Sequence, residues 1–191
     1  MRKSQPWVLV AVLAAAGVAR AQPREFRIER VRLTFTSDAP LETIRGVSTE
    51  GAGSVRIDPA DLTTASATVT VPVASLRTGI ELRDRHLRGE DWLDAANHPD
   101  ATFELLRVEG ARALRPDEDA RLRVVGRFTL HGVTREVRAS VRAKWNGGAR
   151  LRARARFRIQ LDQFGVSINP AVRLKVSNEI QVTIDLLATA S

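Results

Sequence analysis

The sequence predicts an all-β protein with one short helical insertion, built on about eight long antiparallel strands. Three observations carry this. Leu151, Ala153, Ala155, Phe157, Ile159 and Leu161 share one parity, and Arg152, Arg154, Arg156, Arg158, Gln160 and Asp162 the other. That period of two marks a strand with one dry and one wet face. Turn signals separate such runs, with Asn146-Gly147-Gly148 the strongest. Only Ser75 to Ala96 breaks the alternation. It spaces Leu76, Ile80, Leu82, Leu87, Trp92 and Leu93 among many charges, as one or two short helices do.

The elements follow in chain order. Phe26 and Ile28, then Val31, Leu33 and Phe35, form a strand whose parity switches near Glu29-Arg30, as a bulge would cause. Val55 and Ile57 make a shorter strand that stops at Asp58-Pro59. Ala67, Val69, Val71 and Val73 alternate with Ser66, Thr68 and Thr70. After the insertion, a strand from Ala101 to Val108 begins just past His98-Pro99-Asp100, and Arg115 to Asp119 is a polar loop. Leu122, Val124, Phe128 and Leu130 form the next strand, and His131-Gly132 turns the chain. Val133, Val137, Ala139, Val141, Ala143 and Trp145 lead back to Asn146 and the arginine-rich strand. Ile180, Val182, Ile184 and Leu186 form the last strand.

Strands of this number and length form a closed barrel or a sandwich, and closure hides their edges. A barrel of about eight strands is plugged by side chains or holds one small ligand. Ala67, Ala139, Ala143, Ala153 and Ala155 on the inward parity leave room for a cavity unless bulky neighbours fill it.

The chain has 191 residues, 43% of them hydrophobic, which suits one folded domain and excludes a disordered chain. Arg2 and Lys3, an apolar stretch from Trp7 to Val18 and Ala19-Arg20-Ala21 read as a cleaved secretory signal peptide over residues 1–21. The mature domain is then 22–191, exported, and its net charge falls from +8 to +5. The absence of cysteine excludes disulfides, thiolate chemistry and cysteine-ligated metals. Lysine occurs only at Lys3, Lys144 and Lys175, and the acids are interspersed among the arginines, as on a solvated surface. A barrel in the outer membrane needs aromatic girdles, and this chain has no Tyr and 5% aromatics.

Chemistry is sparsely signalled. His86, His98 and His131 lack metal-ligand spacing from one another, and turn roles fit His98 and His131. The cluster Arg83-Asp84-Arg85-His86 could serve acid/base chemistry but suits an exposed helix with ion pairs better. No catalytic residue, metal or cofactor is expected, and the chain is read as a non-enzyme. The arginine face lacks the interleaved aromatics of a nucleic-acid platform, so no nucleic-acid partner is expected.

Several segments together resemble the YceI-like family. Arg83-Asp84-x-His86-Leu87, Asp91-Trp92-Leu93-Asp94 and His98-Pro99-x-x-Thr102-Phe103 occur in that family's order. Val125 to Arg135 is similar to its segment ending in His-Gly-Val-Thr-Arg, and Gln163-Phe164-Gly165-Val166 to its later Phe-Gly segment. Together they cover roughly residues 26 to 189. Residues 29 to 46 depart from the commoner form, which carries a His-Ser pair before the first barrel strand. The resemblance implies an extended, antiparallel, lipocalin-like β-barrel in the periplasm with an isoprenoid or other long-chain amphiphile inside. The expected partner is therefore an apolar or amphiphilic small molecule: an isoprenoid, quinone or fatty-acyl chain. Peripheral contact of the outer arginines with a membrane, and a homodimer, are left open. Lining candidates are Phe35, Val69, Val71, Phe103, Phe128, Leu130, Phe157, Ile159, Val182 and Ile184. The competing readings are a filled barrel acting as an interaction or stress-related scaffold, and an enzyme acting on lipid-like substrates.

Overall fold

A computed structural model describes residues 23–190; the expected signal peptide lies outside them. The strands are β1 (Arg24–Asp38), β2 (Thr43–Ser48), β3 (Ala52–Asp58), β4 (Asp61–Pro72), β5 (Asp100–Glu109), β6 (Asp119–Leu130), β7 (Val133–Trp145), β8 (Arg150–Gln160) and β9 (Glu179–Ala190). All named pairs are antiparallel, each strand from β3 to β9 pairs with the next, and β1 joins β9 to close the barrel. β2 and β3 pair with the C-terminal and N-terminal parts of β1 respectively, so together they act as one interrupted strand of an eight-stranded barrel. The lipocalin-like closed barrel expected from the alternation and the resemblance is the observed fold, and the sandwich is not.

The bulge expected near Glu29-Arg30 is present: the β1–β9 register shifts between Ile28 and Arg30. It keeps Ile28 and Val31 both buried despite their odd spacing. The His131-Gly132 turn joins β6 to β7 in two residues with φ of 49° and 71°. Two positive φ values are what a tight hairpin twisted like its strands requires.

One strand differs from the sequence reading, while the insertion holds a short helix as its spacing predicts. β2 was not expected, because Thr43-Ile44-Arg45-Gly46-Val47-Ser48 buries only Ile44, Gly46 and Ser48 and carries too few large apolar residues to show alternation. In the insertion, α1 (Glu81–Arg88) is the sole α-helix among the described residues. The chain after it forms hydrogen-bonded turns, with Trp92 N–H and Asp94 N–H both donating to Gly89 C=O.

One end of the barrel is sealed. Trp145 and Leu151 are buried there, and the loop after β5 folds over them. Leu114 N–H donates to Pro59 C=O at 2.8 Å, and Leu62 N–H to Arg112 C=O at 2.7 Å. At the other end β7 and β8 pair only over Ser140–Trp145 and Leu151–Arg156 and then part. The turn Leu161–Phe164 lies beside the gap, and Phe164 is buried against Phe128 with ring centroids 5.8 Å apart.

Candidate functional site

The open end holds a cavity of about 990 Å³. Its wall comes from inward residues near the strand ends: Leu33 and Phe35 of β1, Val71 of β4, Phe128 and Leu130 of β6, Ile159 of β8, and Ile180 and Val182 of β9. These side chains share one end because antiparallel register sets Phe35 beside Val182, and Val182 beside Phe157. The insertion covers one side with Leu76, Leu87, Trp92 and Leu93.

Of the ten lining candidates, Phe35, Val71, Phe128, Leu130, Ile159 and Val182 border the cavity. Val69, Phe103, Phe157 and Ile184 are buried outside its lining. Phe157 contacts Phe128 at 5.1 Å and Phe103 at 5.8 Å between ring centroids. These rings back Phe128 as a support for the cavity. Parity is common to all ten, but depth along the barrel is not visible in parity.

The room in the barrel also has a different origin from the one expected. Ala67, Ala139, Ala143, Ala153 and Ala155 do not line this cavity. Ala143 and Ala153 pair with each other near the sealed end, where Trp145 and Leu151 are buried. The space lies instead where the insertion and the chain between β8 and β9 stand over the strand ends. Leu161, Val176 and Pro170 from that connection also border it.

Polar groups gather at the mouth: Glu42, Thr78, Arg83, His86, Asp91 and Lys175. Arg83 and Glu42 form an ion pair at 2.6 Å between α1 and the β1–β2 loop. Asp84 turns away from solvent and accepts from the Thr78 N–H at 2.6 Å and from the Thr78 hydroxyl. Burial pushes its carboxyl upward, but these Thr78 bonds, with Arg88 and Arg77, together hold it below the ordinary value of 3.8. Asp84 therefore fixes the loop before α1, and Arg83 positions on that same loop through Thr78 Oγ1 at 3.0 Å. The cluster ties α1, which helps cover the cavity, to the loop before it and to the β1–β2 loop. Its carboxylate is committed to Thr78 and does not present itself as a base.

The insertion is tied to the barrel by further bonds. Val47 and Arg77 exchange backbone hydrogen bonds of 2.8 and 2.9 Å, extending the free edge of β2. The hydroxyls of Ser48 and Ser75 meet at 2.6 Å, and Ser75 donates to Pro72 C=O. Burying such hydroxyls without partners would cost stability, and here both are paired. Sequence reasoning missed this link, since serines 27 positions apart carry no periodic signal.

A closed antiparallel barrel, sealed at one end and opening at the other into an apolar cavity, defines a lipocalin-like β-barrel protein. The YceI-like domain model matches residues 25–188. The chain belongs to the YceI-like family. It is 29% identical over 131 residues to a UPF0312 protein of Vibrio cholerae, covering 65% of this chain and 66% of that protein. It is 31% identical over 130 residues to a UPF0312 protein of Pseudomonas fluorescens, covering 64% of each. The match thus spans just under two thirds of these relatives' own length. Among solved structures, Burkholderia cenocepacia BcnA superposes with a TM-score of 0.72 at 26% identity, over 83% of this chain and 96% of that one. A polyisoprenoid-binding domain from Saccharophagus degradans, implicated in plant cell wall breakdown, has the same fold, with a TM-score of 0.70 at 17% identity. That match covers 87% of this chain and 98% of the domain.

Proposed function

We propose that the chain is an exported, periplasmic carrier that holds one isoprenoid or other long-chain amphiphile in the barrel and catalyses no reaction. The observation that carries the reading is the 990 Å³ cavity, walled by apolar strand ends and covered by Trp92, Leu93 and Leu87. That volume lies at the upper end of the roughly 300–1,000 Å³ typical of small-molecule sites. Burial of a methylene contributes about 0.8 kcal/mol, so a prenyl or acyl chain binds there without a dominant polar contact. The ligand's polar end would meet Arg83, Glu42 and Lys175 at the mouth. The polyisoprenoid-binding neighbour supports the choice of ligand class. Residues 1–21 would direct export and be removed.

Loading from a membrane fits the same end of the molecule. Ile80 and Leu82 are about half exposed beside the mouth, and Leu41 and Leu174, joined by a backbone hydrogen bond, are exposed near it. Such side chains give a rim that can touch a bilayer while the ligand crosses.

The test is native mass spectrometry of the protein purified from its exporting host, followed by solvent extraction. A stoichiometric adduct that is extracted as a prenyl or acyl lipid supports the carrier. An empty protein that also ignores prenyl and fatty-acyl probes overturns it in favour of a filled scaffold.

A further inference from the structure

We propose that Asp94, His98 and His131 form a binding site for one divalent transition-metal ion, with Zn²⁺ as the best fit. Their ligand atoms all lie within 4.8 Å of one another, and all three residues are half-buried. They come from two separate parts of the chain. Asp94 and His98 sit at the end of the insertion, and His131 occupies the β6–β7 turn. None of the three lines the cavity, so this site is separate from the ligand site.

The histidines are already arranged for coordination. His131 Nδ1 lies 3.1 Å from Phe164 C=O. An imidazole nitrogen facing a carbonyl must carry the proton, which leaves the Nε2 lone pair free for a metal. A backbone carbonyl bonded to the second ring nitrogen is the usual support of a metal-binding histidine. The His98 ring crosses the His131 ring edge to face, with centroids 4.8 Å apart. No hydrogen bond reaches the His98 ring among the described residues, which leaves a ring nitrogen to coordinate. Asp94 keeps its carboxylate near the pair through Asn97, whose side-chain amide donates to Oδ2 at 2.8 Å. His98 N–H donates to Asp94 C=O at 2.8 Å, which fixes the two ligands of the insertion relative to each other.

The backbone makes room for this cluster. A Cβ at Gly132 would stand 2.7 Å from His98 Cε1, so only glycine lets the His98 ring rest beside His131. Asp94 and His131 both adopt positive φ, at 44° and 49°. Such backbone is uncommon outside glycine, though Asn, Asp and His accept it best.

Two imidazoles and a carboxylate suit Zn²⁺, with a tetrahedral fourth position for water. An ion bound at about 2.1 Å spaces its ligands roughly 3.4 Å apart, so binding would draw the three groups in from their present spacing of up to 4.8 Å. Binding would pin the end of the cavity cover to the β6–β7 turn and, through Phe164, to the connection after β8.

The test is Zn²⁺ titration by calorimetry and Co²⁺ absorption spectroscopy on the untagged protein, alongside His98→Ala and His131→Asn. Asparagine tolerates the left-handed backbone at position 131, so that variant keeps the turn; circular dichroism checks both folds. The expected result is one ion per chain, with affinity lowered roughly tenfold or more in either variant. The thermal midpoint should also rise with Zn²⁺ in the wild type alone. Absence of saturable one-to-one binding overturns the proposal. So does one-to-one binding that survives both substitutions unchanged in folded protein.

Discussion

The ring of Phe35 lies over the backbone of Gly46, its partner across the β1–β2 pair, so closely that a Cβ at Gly46 would stand 2.1 Å from Phe35 Cε1. An aromatic ring covering a cross-strand glycine fills the space that the glycine leaves in the sheet. It also holds Phe35 against the cavity wall. Gly46→Ala should therefore displace the ring and cost about 1–3 kcal/mol, as overpacking does. Thermal unfolding would show the loss, and affinity for a fluorescent prenyl probe should fall with it. Adding Phe35→Leu should return most of the stability, because the two changes share one contact. Equal loss in the double variant would mean that the ring is not what the new methyl meets.

Depth along the barrel separates two kinds of inward residue. Leu130 borders the cavity, whereas Phe157 lies outside its lining and supports Phe128. Leu130→Trp should occupy the cavity, leaving the barrel folded while lowering probe affinity about tenfold or more, since apolar burial of the ligand is lost. Phe157→Leu should do the reverse, lowering stability by about 1–1.5 kcal/mol while affinity changes little. Chemical denaturation and probe titration of the two variants side by side check both expectations. Matching effects on both readouts would refute the division of wall from support.

The same division explains what was legible in the sequence. Strand parity is local, so the alternation around Phe157, the bulge at Ile28/Arg30 and the turns at His131-Gly132 and Asn146-Gly147 were readable residue by residue. Six of the ten lining candidates border the cavity, yet parity could not rank Leu130 above Phe157, because both face inward. β2 was missed because its binding edge is supplied by β1 and by Arg77, not by its own composition. The inward alanines do not line the cavity; Ala143 and Ala153 pair with each other close to the buried Trp145 and Leu151, the bulky neighbours that parity alone could not place. The Asp94/His98/His131 cluster was invisible for a similar reason: 33 positions separate His98 from His131, and only β5 and β6 bring them together.

Arg83 and Glu42 span from α1 to the β1–β2 loop at the mouth. Their side chains are 26% and 39% exposed, so the pair should add little to stability, about 0–1 kcal/mol. Its effect should be kinetic. Glu42→Gln should leave the unfolding midpoint nearly unchanged and speed release of a bound prenyl probe in stopped-flow measurements. Raising salt to about 1 M, where screening acts within roughly 3 Å, should move the wild type toward the variant. A release rate insensitive to both changes would show that the pair does not gate the mouth.

Asp84 gives the clearest pH dependence. Its carboxyl in the folded chain sits below 3.8, its ordinary value, because Thr78, Arg88 and Arg77 outweigh burial. Between the two values the unfolded chain binds a proton that the folded chain does not. Stability from this group is therefore complete above about pH 4 and is lost as pH falls through the folded value. Asp84→Asn removes the charge and weakens the hold on Thr78, and should cost about 1–3 kcal/mol at pH 7. The cost should shrink as pH falls below 3.8, where the unfolded chain takes up the proton first and the folded carboxyl follows at its lower value. Urea unfolding of both proteins at pH 7 and near pH 3 measures this directly. A gap between them that stays constant across that range would mean that Asp84 holds the Thr78 loop through shape alone and that its charge contributes nothing.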